Sequence, residues 1–193
     1  MNSPFLNFIN SSITIPEAQQ EKFSALLSEK NINKNENFIS SGEFPKTLGF
    51  VKKGLFRYYY SNAAGEEFTK VFFTENSLLS SYSAVVEKRP SYFSIQALED
   101  AVVEVINYQD FLNLFIEYPG WNAFLVGMLQ KGFIAKEERE RQFLLFDAEQ
   151  RYISFLERYP KLEKRIKQHL IASYLRITPE SLSRLRRKMK FLS

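Results

Sequence analysis

The 193-residue sequence contains no cysteine, one histidine, one tryptophan and seven glycines. Without cysteine there is no disulfide framework, no thiolate nucleophile, no thiolate zinc site and no cysteine-ligated iron–sulfur cluster. A reducing, cytoplasmic setting is expected. The single histidine, His169, excludes histidine-rich metal sites by count, and no metal is expected. Its neighbours Lys167 and Gln168 suit a surface, capping or phosphate-contacting role better than that of a general base. G-x-S-x-G, a Walker glycine loop and G-x-G-x-x-G are also missing, so the sequence gives little support to an enzyme, and no catalytic residue is nominated. Uncharged apolar-rich runs such as Tyr118–Gln130 fall short of the roughly 20 residues that cross a bilayer, and no membrane partner is expected. The N-terminus has no cation before Lys22 and no sustained apolar stretch, so it lacks the parts of a secretory signal.

What is present is 45% apolar residues in a chain long enough to bury a core, and a charge distribution more informative than its sum. Residues 147–193 carry twelve Lys and Arg against five Asp and Glu; residues 1–146 carry fourteen against seventeen, which together give the net +4. A basic C-terminal block beside a mildly acidic body points to a polyanion meeting the tail alone, although a solvated helical face has the same charge pattern. The carboxylates Glu137, Glu138 and Glu140 alternate with Lys136, Arg139 and Arg141, the mark of an exposed helix face with i,i+4 pairing.

Along the chain, Ile15–Lys30 has helical spacing at Ala18, Phe23, Leu26 and Leu27. From Phe38 to Ile106 the pattern changes to short strands, with LFRYYYS, EFTKVFF, YFSIQAL and VVEVI as strands and NAAGE as a turn, punctuated by Gly42, Gly54, Gly65 and Pro90. A small barrel or roll is expected. After Asn107 the pattern is helical: YQDFLNLFIEY, a long helix over Trp121–Phe146, and an amphipathic helix over Ala148–Tyr159. The long helix carries Trp121, Phe124, Leu125, Met128 and Leu129 on one stripe, which predicts self-association, while a helix lying on its own domain has the same periodicity.

The stretch IASYLRITPESLSRLRRK reads as two helices with a break. Gln168–Leu175 forms the first and buries Leu170, Ile171 and Leu175; Arg176 and Ile177 form the turn. Thr178 stands at the N-cap, Pro179 at the first helical position and Glu180 in the first turn, so the second helix starts at Pro179. Its inward stripe is Leu182, Leu185 and Met189. The outward side is polar and basic, the arrangement that lays a recognition helix into the major groove of double-stranded DNA. Arg184 has the reach for guanine O6 and N7, Glu180 accepts from cytosine N4, and Ser183 is short enough for a base edge or a thymine methyl. Thr178, Arg176, Arg186, Arg187, Lys188 and Lys190 are cast as phosphate contacts. A basic helical hairpin without a DNA partner would show the same residues.

With these elements the chain resembles the Crp/Fnr family of bacterial transcription regulators over nearly its whole length. ITPESLSRLRRK is similar to that family's recognition helix, AEQRYISFLERYP to the helix that opens its DNA-binding domain, and Gly42, Gly54 and Gly65 to the glycine turns of its cyclic-nucleotide-binding roll. The resemblance implies an α+β fold: an N-terminal double-stranded β-roll, a long dimerisation helix and a C-terminal winged helix-turn-helix. It implies base reading at Glu180, Ser183 and Arg184. The expected division is residues 1–118 for the roll with its flanking helices, 119–146 for the dimerisation helix and 147–193 for the helix-turn-helix.

The sequence departs from that family in three ways. Nucleotide-binding members carry a Gly-Glu pair and, about ten residues on, an Arg-Ser pair that clamps the cyclic phosphate. Here Ser80 and Ser81 stand near the first pair and Ser91 and Tyr92 near the second, while Arg89 precedes Pro90 and points to a loop turned elsewhere. A pocket lined by Phe72, Ser80, Ser81, Tyr82, Ser91, Tyr92 and Gln96 is the candidate effector site, and the same residues also read as roll core. Cyclic AMP is not expected as a ligand, no cofactor is required, and an effector, where one acts, would be another small molecule. The absence of cysteine excludes iron–sulfur sensing. The sequence stops at Phe191-Leu192-Ser193, so a wing would have to precede the helix pair. Arg176 stands where relatives often have glycine and would be mildly strained at positive φ. The expected function is that of a homodimeric, sequence-specific transcription regulator in the cytoplasm, with DNA, a second copy and RNA polymerase as partners. The alternative is a small-molecule or cyclic-nucleotide sensor acting through protein partners.

Overall fold

The computed structural model describes residues 3–190, with no account of the Lys190 side chain. The described residues divide into two compact units, those up to 60 together with 71–131, and 61–70 together with those from 132 onward.

The first unit begins with helix α1 (Pro4–Asn10) and helix α2 (Glu17–Leu26). Eight strands follow: β1 (Ser28–Ile32), β2 (Asn37–Ile39), β3 (Thr47–Lys53), β4 (Phe56–Ser61), β5 (Glu67–Phe73), β6 (Leu78–Leu79), β7 (Ser94–Ala97) and β8 (Ala101–Asn107). A short helix α3 (Tyr82–Val86) precedes β7, and α4 (Tyr108–Glu117) follows β8. The strands form two four-stranded sheets in the orders β1-β8-β3-β6 and β2-β7-β4-β5, the roll expected from the strand spacing. The four sequence-read strands fall on β4, β5, β7 and β8, and NAAGE is the β4–β5 turn, closed by Asn62 N–H on the Glu66 carbonyl at 3.1 Å. The helix expected over Ile15–Lys30 ends at Leu26, because β8 captures Ser28–Ile32 as a strand partner. Helix α1 was not anticipated; its anchor is Glu104, which accepts from Phe5 N–H at 2.7 Å and Ser3 Oγ–H at 3.0 Å.

The sheet containing β3 and β8 is covered on both faces. Phe50, Leu48 and Ile106 pack with Phe5, Phe23, Phe111, Trp121 and Phe124. Their neighbours Val51, Val103 and Ala101 pack instead with Ile32, Ile39, Phe56, Phe93 and Ile95 inside the roll. Alternation along the strands deals successive side chains to two cores, which explains why β3 reads as a nearly continuous buried run. Gly54 turns β3 into β4 with φ of +113°, and a Cβ there would meet Ala101 at 2.5 Å, so only glycine fits.

Helix α5 (Trp121–Leu145) is long, as expected, and helices α6 (Ala148–Arg158), α7 (Gln168–Leu175) and α8 (Pro179–Lys190) follow in the second unit. A 3-10 turn at Leu162–Lys164 joins α6 to α7. No strand occurs between Asn107 and Lys190, so among the described residues no wing precedes the helix pair. Residues 191–193 lie outside the described residues.

Candidate nucleic-acid interface

The second unit is built from local signals. Asp147 caps α6 in a reciprocal box: it accepts from Gln150 N–H at 2.8 Å, and Gln150 Oε1 accepts from Asp147 N–H at 3.0 Å. Tyr152, Phe155, Leu162, Ile171, Ala172, Tyr174, Leu175 and Leu182 are buried here. Helix α7 ends in a left-handed residue, Arg176 at φ 58° and ψ 47°, with Ile177 N–H on Ala172 O at 3.1 Å and Arg176 N–H on Ser173 O at 3.2 Å. That pair of bonds is the closure usually made with glycine, so arginine here carries the strain inferred from the sequence. Two further arginines satisfy the orphan carbonyls at this helix end: Arg139 donates to Tyr174 O, and Arg151 Nε donates to Leu175 O at 3.3 Å. The Arg139 guanidinium lies 3.7 Å over the Tyr174 ring. Burial holds Arg139 below its ordinary range and pushes the Tyr174 phenol up to about 12.

Thr178 Oγ1 accepts from Ser181 N–H at 3.2 Å, the cap expected at the start of α8. Leu182 is fully buried, and Leu185 and Met189 are half-buried beside it. Glu180, Ser183 and Arg184 are all exposed and follow one another along one face. The Glu180 carboxyl is held below its usual range by its own backbone N–H and by the Thr178 side chain. Arg184 Nη2 donates to Ser181 Oγ at 3.0 Å. Of the residues cast as phosphate contacts, Arg176, Thr178, Arg187 and Lys188 are exposed. Lys188 Nζ donates to Glu149 at 2.6 Å, and Arg186 lies 3.8 Å from Glu163, which also accepts from the Tyr152 hydroxyl at 2.9 Å. Two of the cations are thus paired with acidic side chains of α6 and the 3-10 turn, a pattern that sequence position alone did not reveal. The Lys190 side chain lies outside the described residues.

Helix α5 divides its apolar residues. Trp121 and Phe124 are buried in the first unit's core, and Trp121 Nε1 donates to Gln19 at 3.1 Å. Leu125 and Met128 are half-buried. Leu129 is exposed, and beyond it Phe133 at 66%, Ile134 at 64%, Leu144 at 82% and Leu145 at 70% stand open. The first turns of the expected stripe are therefore used within the chain, and the open apolar surface lies further along than the sequence reading placed it.

In the roll, Ser81 and Ser91 come together, with their Oγ atoms 3.0 Å apart, and the Ser91 hydroxyl also reaches Phe93 O at 2.8 Å. Both serines are buried, as is Phe72. Ser80 Oγ is buried without a hydrogen-bond partner among the described residues. Tyr82 is half-buried at the start of α3 and bonds to Tyr108. Tyr92 faces outward at 66% exposure and carries the Arg89 guanidinium 4.0 Å above its ring, and Arg89 is also paired with Glu87. Gln96 Oε1 accepts from Arg57 Nε at 2.9 Å and Nη2 at 2.7 Å, so it is engaged within its own sheet. The structure thus joins Ser81 to Ser91 and turns Tyr92 away.

Residues 29–118 match the family of cyclic nucleotide-binding domains. No curated protein matches the sequence. Solved structures match over most of the chain. FixK2 of Bradyrhizobium japonicum aligns with a TM-score of 0.77 at 16% identity, covering 86% of this chain and 85% of that one. The c-di-GMP responsive global regulator CLP of Xanthomonas campestris gives 0.73 at 15%, covering 91% and 92%. A transcriptional regulator assigned to the crp/fnr family from Eubacterium rectale gives 0.73 at 18%, covering 98% and 87%. The fold is that of the Crp/Fnr regulators. Within the Crp/Fnr fold the three glycines singled out from the sequence behave as turn glycines: Gly42, Gly54 and Gly65 all have positive φ. No helix among the described residues is long and apolar enough to cross a membrane.

Proposed function

We propose that the chain is a homodimeric, sequence-specific DNA-binding transcription regulator whose roll does not take cyclic AMP in the manner of nucleotide-binding relatives. The observation that carries this reading is the accessible stripe Glu180, Ser183 and Arg184 on a helix capped by Thr178 and seated by the buried Leu182. A side chain of each type has a base edge it pairs with in the major groove, and a polar stripe on a basic unit serves no packing purpose. Arg176, Thr178, Arg187 and Lys188 are exposed for phosphates; Arg186 and Lys188 would exchange Glu163 and Glu149 for them. The division into a roll with flanking helices (1–118), a dimer helix (119–146) and a DNA-binding tail (147–193) assigns each a task. The open apolar residues of α5 supply the surface for a second copy, and a two-fold dimer reads two inverted half-sites. The protein acts in the cytoplasm, without enzymatic activity, and RNA polymerase is a further partner.

For the roll, Ser81 and Ser91 bond to each other where relatives place phosphate-binding groups, the Arg89 guanidinium is spent on Glu87 and Tyr92, and that of Arg57 on Gln96. Neither arrangement offers a cyclic phosphate a charge-assisted clamp.

The test is binding to duplex DNA over a salt series. Affinity that falls steeply with salt while preference for particular sequences persists at fixed salt is the expected result. Equal affinity for every sequence, or none, would overturn the reading. Calorimetry with cyclic AMP should show no micromolar binding; such binding would overturn the roll assignment alone.

A further inference from the structure

The β4–β5 hairpin tip, residues 61–70, belongs to the same compact unit as α7 and α8. β5 is the last strand of its sheet, so one row of its backbone groups has no strand partner. Ser173 on α7 serves that row: Thr69 N–H donates to Ser173 Oγ at 2.9 Å, and the same hydroxyl donates to Glu67 O at 3.1 Å. One serine thus stands in for a neighbouring strand across two residues. Between those two, Phe68 places its ring 4.6 Å from the guanidinium carbon of Arg176. Glu67 and Phe68 line a groove of about 420 Å³ together with His169, Arg176, Thr178 and Pro179.

Resting on the DNA-binding reading above, we propose that this hairpin is an autoinhibitory clasp on the helix pair. In a helix-turn-helix the first helix crosses the DNA backbone and the start of the second meets the bases. The turn at Arg176 to Pro179 therefore faces a phosphate strand, and the hairpin forms one wall of the groove beside it. The ring of Phe68 covers one face of the exposed Arg176 guanidinium and holds it at the hairpin, from which a phosphate would have to draw it. Glu67 brings negative charge to the same groove and repels the incoming backbone. Clasp and DNA compete for the same cation, so DNA engagement selects the released hairpin. β5 leaves this unit at Val71 and continues as a strand of the roll, which gives the roll a covalent handle on the clasp.

The experiment uses the full chain and duplexes recovered by selection from a random pool. Phe68→Ala should bind about two- to fivefold more tightly than wild type, the size of one exposed cation–π contact, and Glu67→Gln should also bind more tightly because one repelling charge is removed. Because the chain has no cysteine, Phe68→Cys/Arg176→Cys provides two unique thiols for a cleavable bis-thiol linker. The joined form should bind about tenfold or more weakly than the same protein after cleavage. In the absence of DNA, Ser173→Ala should speed amide exchange at Thr69. Released variants that bind no better than wild type, a linker without effect, or unchanged exchange at Thr69 would overturn the clasp while wild-type DNA binding still stands. If neither wild type nor Phe68→Ala binds any duplex, the DNA-binding reading itself fails.

Discussion

Phe133 tests the assembly. It sits on α5 with 66% of its surface exposed, in neither of the first unit's buried clusters. A phenylalanine presents roughly 200 Å², so about 130 Å² awaits cover, worth about 3 kcal/mol at 25 cal/mol per Å². A two-fold dimer carries the residue twice, which brings the total to about 6 kcal/mol, or roughly four decades in dissociation constant. That is an upper limit, since ordering on association offsets part of it. Phe133→Asp should therefore shift the protein from dimer to monomer in sedimentation equilibrium across a wide concentration range. Phe133→Ala should fall between the two. Far-ultraviolet circular dichroism and the thermal midpoint of the dilute protein should change little, because no internal packing is lost. If Phe133→Asp dimerises as tightly as wild type, or wild type sediments as a monomer throughout, α5 is not the dimer surface.

Three other outcomes follow from the second unit. Leu182→Ala should destabilise it by about 3 kcal/mol in urea unfolding, the cost of a cavity under α8; a loss below about 1 kcal/mol would show that the helix pair is not packed as described. Arg184→Ala should cost roughly 1 to 3 kcal/mol and relax preference at one G·C pair, whereas Arg187→Ala should weaken all sequences alike and lower the salt slope by about one. A uniform loss for Arg184→Ala, or a selective one for Arg187→Ala, would reverse those roles. Tyr174 titrates near 12 in the folded state against 10.0 for a free phenol, because burial favours the neutral form. Its contribution is intact below pH 10 and is lost as pH rises toward 12, where it amounts to about 2 kcal/mol. Tyr174→Phe should flatten the fall of the thermal midpoint across that window; an unchanged fall would place the alkaline sensitivity elsewhere.

The helix pair was legible because its determinants are local. A cap, a proline and a 3.6-residue stripe within a dozen positions placed both ends of α7 and the start of α8 where the structure has them. Four of the eight strands, β4, β5, β7 and β8, were legible from their Val, Ile, Phe and Tyr content between turn residues, whereas β1, β2, β3 and β6 were not singled out. What escaped sequence reading depends on distant partners. Helix α1 is held by Glu104, about a hundred positions away, and β1 is drawn out of an apparent helix by β8. Trp121 and Phe124 show the periodicity of a dimer seam, yet Phe23, Phe111 and Phe5 cover them from within. Periodicity reports that a face is covered and leaves the cover unnamed. At the site, exposure of Glu180, Ser183 and Arg184 followed from the stripe, whereas the capture of Arg186 by Glu163 and of Arg176 by Phe68 needed three dimensions.

The two-faced sheet has a mechanical consequence. Phe50 and Val51 are joined by one peptide bond, yet Phe50 stacks on Phe5 at 4.8 Å among the helices while Val51 faces the inside of the roll. Close-packed interiors transmit displacement rather than absorb it. Anything that swells or empties the roll must tilt that strand, and the tilt arrives one residue later at the aromatic bed under the first turns of α5.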